Sequence, residues 1–168
     1  NLISDARDTH IFLYQDGQLK FGSSLEANGV RNRIFSMPRP NGMTYTVAQN
    51  KKYIVAENIR EHPLFSGAPT EWNGSIIGIP LMIGENVVGV MNMARFSIGG
   101  FTPAEIRLLE LLADQAAIAI MNARLHLAVS NQAMSDTLTG LPNRRALDAR
   151  LDNEVNRSLR YGHPFAVL

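Results

Sequence analysis

The chain contains no cysteine, so thiol nucleophiles, thiolate metal sites and disulfides are excluded together. Its remaining chemistry rests on carboxylates, guanidinium groups, hydroxyls and four histidines. His10, His62, His126 and His163 are scattered and form no ligand pattern, so no metal ligand and no catalytic residue is assigned. Arg31, Arg33 and Arg39 make a small basic cluster that suits an anionic ligand; a solvated loop is the preferred explanation. The densest run of charged and turn-forming residues is Asp136-Thr137-Leu138-Thr139-Gly140-Leu141-Pro142-Asn143-Arg144-Arg145.

A chain of 168 residues fits one ordinary domain plus a remainder too short to bury a core of its own. Apolar residues make up 45% and charged residues 18%, a balance typical of a globular protein. The formal net charge of +1 gives no reason to expect nucleic acid or an anionic membrane as partner. No apolar run approaches the roughly 20 residues that span a bilayer, and no secretory signal opens the chain. Membrane contact is therefore not expected from this segment, and the cytoplasm is the expected compartment. Residue 1 is Asn and not Met, which points to a cropped N-terminus.

The elements that must position these groups are legible in part. Strand-like runs at 10–15 and 18–25 flank Asp16-Gly17, a two-residue hairpin signal. A short helix is expected at Met43–Asn50, a strand at 53–56, and loop from 57 to 74 with Pro63, Gly67, Pro69 and Gly74. Ser75–Ile83 (SIIGIPLMI) and 87–94 (VVGVMNMA) are joined through Gly84-Glu85-Asn86. Both are apolar at consecutive positions, which predicts an antiparallel sheet covered on both faces.

A long helix follows with a complete start signal. Thr102 is the N-cap, Pro103 takes the first helical position, Glu105 closes a capping box, and Phe101 with Ile106 suits a hydrophobic staple. Such a start contributes about 1 kcal/mol. Two apolar stripes run along the helix: Ile106, Leu109, Ala113, Ala116, Ile120, Ala123, Leu127, and Leu111, Ile118, Met121, Leu125, Val129. Either both pack within one domain, or one covers the sheet while the other meets a partner helix in a dimer; the second is preferred. Beyond Asn131 a polar break precedes a helix capped by Asn143, with Leu147, Leu151, Val155 and Leu159 on one side and a stop at Gly162. Phe165–Leu168 is expected to begin a buried strand.

In this order and spacing, residues 1–128 resemble a GAF domain. The carriers are the S-x-x-x-x-P-L strand Ser75–Leu81, the V-V-G-V-M-N-M strand after it, and the F-T-P-A-E…LLADQAAIAIMNARL helix. Residues 136–168 resemble the start of the diguanylate cyclase (GGDEF) family, whose D-x-L-T-G-L-x-N-R-R opening is matched without departure by Asp136–Arg145. Glu154, Arg157, Arg160 and the Pro164–Leu168 run fit as well. Residues 129–135 would continue the helix as a linker.

These resemblances imply an α+β fold: a GAF-like antiparallel sheet with helices on one face, loops and short helices on the other, and a long C-terminal signalling helix. They imply a regulatory module that senses a small molecule of unknown identity and controls a domain making cyclic di-GMP. The segments at 26–52 and 57–74 would wall a pocket, with Tyr14, Phe21, Phe35, Met43, Tyr53, Trp72 and Ile77 as candidate lining. Bilin attachment and thiol-based sulfoxide reduction on this fold both need cysteine and are excluded. Haem and cyclic nucleotides find no supporting residues.

Asp136, Thr139, Gly140, Asn143, Arg144 and Arg145 would form the coupling turn, with Asp136 braced by Arg144 or Arg145. Arg145-x-x-Asp148 looks like the family's product-inhibition motif but stands in the wrong place for it. Mg²⁺ with GTP is expected only in a missing catalytic part, so this segment is expected to be inert. Two chains would dimerise through the Thr102–Ser135 helix. The alternatives are a dimerisation spacer that binds nothing, or the input of a degenerate, nucleotide-binding effector.

Overall fold

The computed structural model describes residues 5–26, 37–132, 136, 138–139 and 141–166; Arg31, Arg33, Phe35 and Gly140 lie outside them. The chain divides into two compact units, Asn1–Met121 and Asn122–Leu168.

The first unit is built on a five-stranded antiparallel sheet. Its strands are β1 (Ala6–Gln15), β2 (Gln18–Glu26), β3 (Ile54–Ala56), β4 (Ser75–Ile83) and β5 (Asn86–Arg95), in the order β2-β1-β5-β4-β3. Asp16 and Gly17 both adopt positive φ (52° and 75°), the pair of angles that a type I′ hairpin requires. The β4–β5 hairpin is tighter than its sequence suggests, because Asn86 already pairs with Ile83 and only Gly84 and Glu85 form the turn.

β1 begins at Ala6, before the expected His10. The polar run Arg7-Asp8-Thr9-His10 hides the strand from a hydrophobicity pattern. Its backbone pairs with β5 (Asp8 opposite Ala94, His10 opposite Asn92), and its charged groups satisfy one another.

Helix α1 (Met43–Asn50) lies on one face of the sheet, and helix α2 (Pro103–Gln132) starts on the other. The alternation of β4 explains how one strand serves both. Ile77, Ile79 and Leu81 are buried with Leu109, Ala113 and Ala117 of α2, whereas Ile76 belongs to the cluster of Phe12, Val90, Met43 and Val47 on the α1 face. Each large side chain so buried contributes about 1.5–3 kcal/mol. The capping box at α2 is formed: the Thr102 N–H and Oγ1 each donate to Glu105 Oε2 (2.8 and 2.9 Å), and the Glu105 N–H donates to Thr102 Oγ1 at 3.3 Å.

One α2 stripe covers the sheet, with Ile106, Ala116 and Ile120 packed beside the three buried residues. Of the second stripe, Leu111, Ile118, Leu125 and Val129 are exposed. The first stripe's Leu127 is exposed too.

In the second unit, helix α3 (Arg144–Tyr161) starts at Asn143, whose side chain accepts from the Ala146 N–H at 3.1 Å. It stops at Gly162 (φ 68°), whose N–H donates to the Ser158 carbonyl at 2.8 Å. Leu147, Leu151, Val155 and Leu159 lie exposed on it. Phe165 and Ala166 are not in a strand; the rest of the strand expected there lies outside the described residues.

Candidate functional site

On the α1 face, the sheet forms the floor of a cavity of about 350 Å³. Period-2 alternation sends Asp8, His10 and Phe12 of β1 to this face, and cross-strand register sets His10 beside Asn92, which in turn stands beside Gly78. Met37, Pro38, Arg39, Gly42, Met43 and Thr44 make one wall; Ile59, Phe65, Glu71 and Trp72 make the other, with Arg7 and Ile76 completing it.

The floor is polar where a sheet centre is ordinarily apolar. His10, Thr44 and Asn92 are all buried. Asn92 Nδ2 donates to Thr44 Oγ1 at 2.9 Å, which fixes the carboxamide; its Oδ1 is buried with no hydrogen-bond partner among the described residues. Asp8 accepts from Arg7 Nε at 2.7 Å and lies 3.2 Å from His10 Nδ1. Burial by itself raises the Asp8 pKa, but hydrogen bonds from His10 and Arg7 and their charges outweigh it, so this carboxyl titrates below its ordinary value.

Arg39 joins the two walls. Its terminal nitrogens donate to the carbonyls of Leu64 (2.9 Å) and Ser66 (3.0 Å), and its guanidinium lies over the rings of Phe65 and Trp72 (5.7 and 5.9 Å to the centroids). It is thus engaged in holding the loops; Arg31 and Arg33, read with it as a basic cluster, lie outside the described residues. Gly78 lets α1 sit low on the sheet: a Cβ there would stand 3.0–3.1 Å from Met43 Cε, Val47 Cγ2 and Asn92 Oδ1.

Of the candidate lining residues, Met43 and Trp72 border the cavity. Tyr14 and Phe21 pack against the apolar cluster of the same face but not on the cavity. Ile77 is fully buried under α2 on the opposite face, because its neighbour Ile76 takes the cavity side of β4. Tyr53 is exposed beside Lys52 and Pro80, away from the cavity. Phe35 is outside the described residues. Sequence reasoning passed over Arg7, Asp8, His10, Thr44 and Asn92. Two signals were available: the alternation Asp8-x-His10-x-Phe12, and a lone carboxamide inside the apolar run VVGVMNMA.

In the second unit, Asp136 organises a turn. Its Oδ1 accepts from the Thr139 N–H (2.9 Å), the Thr139 hydroxyl (2.8 Å) and the Leu138 N–H (3.2 Å), and its own N–H donates to the Leu141 carbonyl at 2.8 Å. The Thr139 backbone bond above all, with the Thr139 hydroxyl and Leu138, lowers the Asp136 pKa. The expected brace to Arg144 or Arg145 is not found among the described residues. Arg144 faces Asp148 one helical turn on, at 4.0 Å, since Asp136 is satisfied by the turn itself. Arg145 is exposed.

Among the described residues no group of His, Asp and Glu could hold a metal ion, and no helix is long and apolar enough to cross a membrane. No curated protein matches the chain. Several solved structures do. The GAF domain of an Acinetobacter phosphoenolpyruvate-protein phosphotransferase is 23% identical with a TM-score of 0.58, over 71% of this chain and 74% of that one. The GAF domain of a two-component sensor histidine kinase from Bacillus halodurans is 19% identical (TM-score 0.57; 74% and 88% covered). A type II free methionine-R-sulfoxide reductase from Thermoplasma acidophilum is 13% identical (TM-score 0.59; 70% and 81% covered). At these identities the likeness is one of fold: an α+β, GAF-like antiparallel sheet. Residues 133–168 match the family model of the diguanylate cyclase, GGDEF domain. With residues 2–121 matching the GAF domain model, the chain belongs to the GAF domain family.

Proposed function

We propose that this chain is the input side of a bacterial, cytoplasmic signalling protein: its GAF domain takes up a small molecule in the cavity over β1, β5 and β4 and regulates a diguanylate cyclase output. The observation that carries this reading is the polar floor: buried His10 and Asn92, with half-buried Asp8 beside them and buried Thr44 of α1 above, stand at a sheet centre that apolar side chains would fill more stably. The match of residues 133–168 to the cyclase family supplies the output. In this reading Mg²⁺ and GTP belong to cyclase residues outside this sequence, and this segment performs no catalysis.

Two copies associate along α2 through Leu111, Ile118, Leu125 and Val129, the apolar stripe left exposed. A ligand that favours one packing of these helices by about 1–3 kcal/mol suffices to switch the output. In this reading the segment contacts neither nucleic acid nor a membrane.

Native mass spectrometry of the purified protein tests the reading. A small molecule retained one per chain supports it. A ligand-free dimer, with no stabilisation by any member of a metabolite panel, supports the second reading, a dimerisation spacer, which the exposed α2 stripe favours by itself. Production of cyclic di-GMP by the full-length protein from GTP and Mg²⁺ separates an active cyclase from a degenerate effector.

A further inference from the structure

The Asn92 carboxamide reports on the chemistry of the ligand. Asn92 is 7% exposed and its Nδ2 is held by Thr44, so the side chain cannot turn to hide its acceptor. Oδ1 is left without a donor among the described residues, the less stable condition for a buried carbonyl.

A soft side chain lies close by. Asn92 Oδ1 and Met43 Cε stand 3.1 and 3.0 Å from the point where a Gly78 Cβ would be, so both face the same spot on the sheet. Methionine is unbranched and repacks easily, and Met43 itself borders the cavity.

The ionic groups of the buried floor are already matched, since Asp8 is met by Arg7 and His10. On the walls, Arg39 is held by backbone carbonyls and by the rings of Phe65 and Trp72, and Glu71 accepts from the Thr70 hydroxyl at 3.4 Å. An ionised ligand group on the buried floor would find no uncommitted countercharge there. The walls it would meet are the rings of Phe65 and Trp72. The volume of about 350 Å³ is at the small end of ligand pockets, suited to a mono- or bicyclic body and not to a dinucleotide.

Resting on the ligand-binding reading above, we infer that the cavity selects a small, uncharged, mainly apolar molecule bearing an N–H or O–H donor, which displaces the Met43 methyl and donates to Asn92 Oδ1.

Isothermal titration of the whole chain with two pairs of similarly shaped probes tests this. Indole and benzofuran differ in the ring N–H, and benzamide and benzoate differ in donor and charge. Indole should bind roughly tenfold tighter than benzofuran, as one hydrogen bond to a buried acceptor implies, and benzamide should likewise exceed benzoate. Asn92→Leu should abolish the indole preference while still binding benzofuran. Should that variant fail to fold, Met43→Ala, which removes the thioether that the ligand is inferred to displace, should widen the preference.

Equal binding of indole and benzofuran, tighter binding of benzoate, a preference that survives Asn92→Leu or one unchanged in Met43→Ala each overturns the inference. So does failure of every probe to bind. The sensor reading falls separately, when native mass spectrometry and the metabolite panel find no ligand; an anionic molecule retained on the protein sinks only the donor inference.

Discussion

Arg95, the last residue of β5, is ion-paired to Glu105 in the first turn of α2, and its guanidinium stacks 4.0 Å from the centroid of the Phe101 ring. Arg95 takes Oε1 of Glu105, and the other oxygen, Oε2, closes the capping box on Thr102. One carboxylate therefore fastens the start of the helix to the strand that carries Asn92 on its cavity side.

Glu105→Ala should lower stability by about 3 kcal/mol in urea unfolding, because it leaves the buried Arg95 charge unpaired as well as opening the cap. Glu105→Gln, which can still cap the helix, should cost less, and Thr102→Ala about 1 kcal/mol. Losses below 1 kcal/mol for Glu105→Ala would mean that solvent screens the pair.

In the first unit, the acid limb of stability should follow from two carboxyls held below their ordinary pKa. In Glu105 the Thr102 backbone N–H is the main cause, with the Thr102 hydroxyl and Arg95 outweighing the effect of burial; in Asp8, burial raises the value but His10 and Arg7 outweigh it. Both are ionised in folded and unfolded chains at neutral pH, so their contribution is complete there. As pH falls through the unfolded values of about 4.3 and 3.9, the unfolded chain binds protons first and stability declines until the folded values are passed. Urea midpoints should be flat above about pH 5 and fall below it. Glu105→Gln should flatten part of that fall; an unchanged acid limb in that variant contradicts the assignment.

Gly74 should tolerate no side chain. It has φ +81°, and a Cβ would stand 2.0 Å from the Arg95 carbonyl oxygen. Gly74→Ala should cost about 3 kcal/mol or more, read by thermal unfolding. A variant as stable as the parent would mean that the loop before β4 can move off β5.

Ile118→Glu with Leu125→Glu should convert a dimer to a monomer in light scattering, with urea stability of the sheet core nearly unchanged, because both positions are exposed in the single chain. A parent protein that is monomeric at every concentration tested defeats the α2 pairing proposed above.

Asp136→Ala removes the acceptor that three donors of the turn share. In the full-length protein it should change basal or ligand-dependent cyclic di-GMP production while the helicity of α3 persists under its Asn143 cap. Turnover identical to the parent in both conditions would remove the coupling role from this turn.

Much of the fold was legible because its signals are local. Asp16-Gly17 marks its hairpin, Thr102 to Glu105 its helix start, and Asn143 with Gly162 both ends of α3. The cavity was less legible because its floor depends on register between distant strands. His10 becomes a neighbour of Asn92 only through β1–β5 pairing, and nothing within either segment states that pairing. The choice between Ile76 and Ile77 is likewise one residue of register, which an apolar run leaves undecided. The family resemblance implies an arginine partner for Asp136, yet the turn's own donors satisfy that carboxylate.

The floor and the walls of the cavity are under unequal constraint. Strands β4 and β5 alternate between the cavity and the α2 side, so Asn92 stands between Met91 and Met93, which pack against the helix, and a change there disturbs residues that serve both faces. Ile59, Phe65 and Trp72 stand on a segment outside the central strands and carry no such second duty. Retuning this module for a different molecule would therefore start from the wall: it can be rewritten while the floor continues to speak to the helix in the same way.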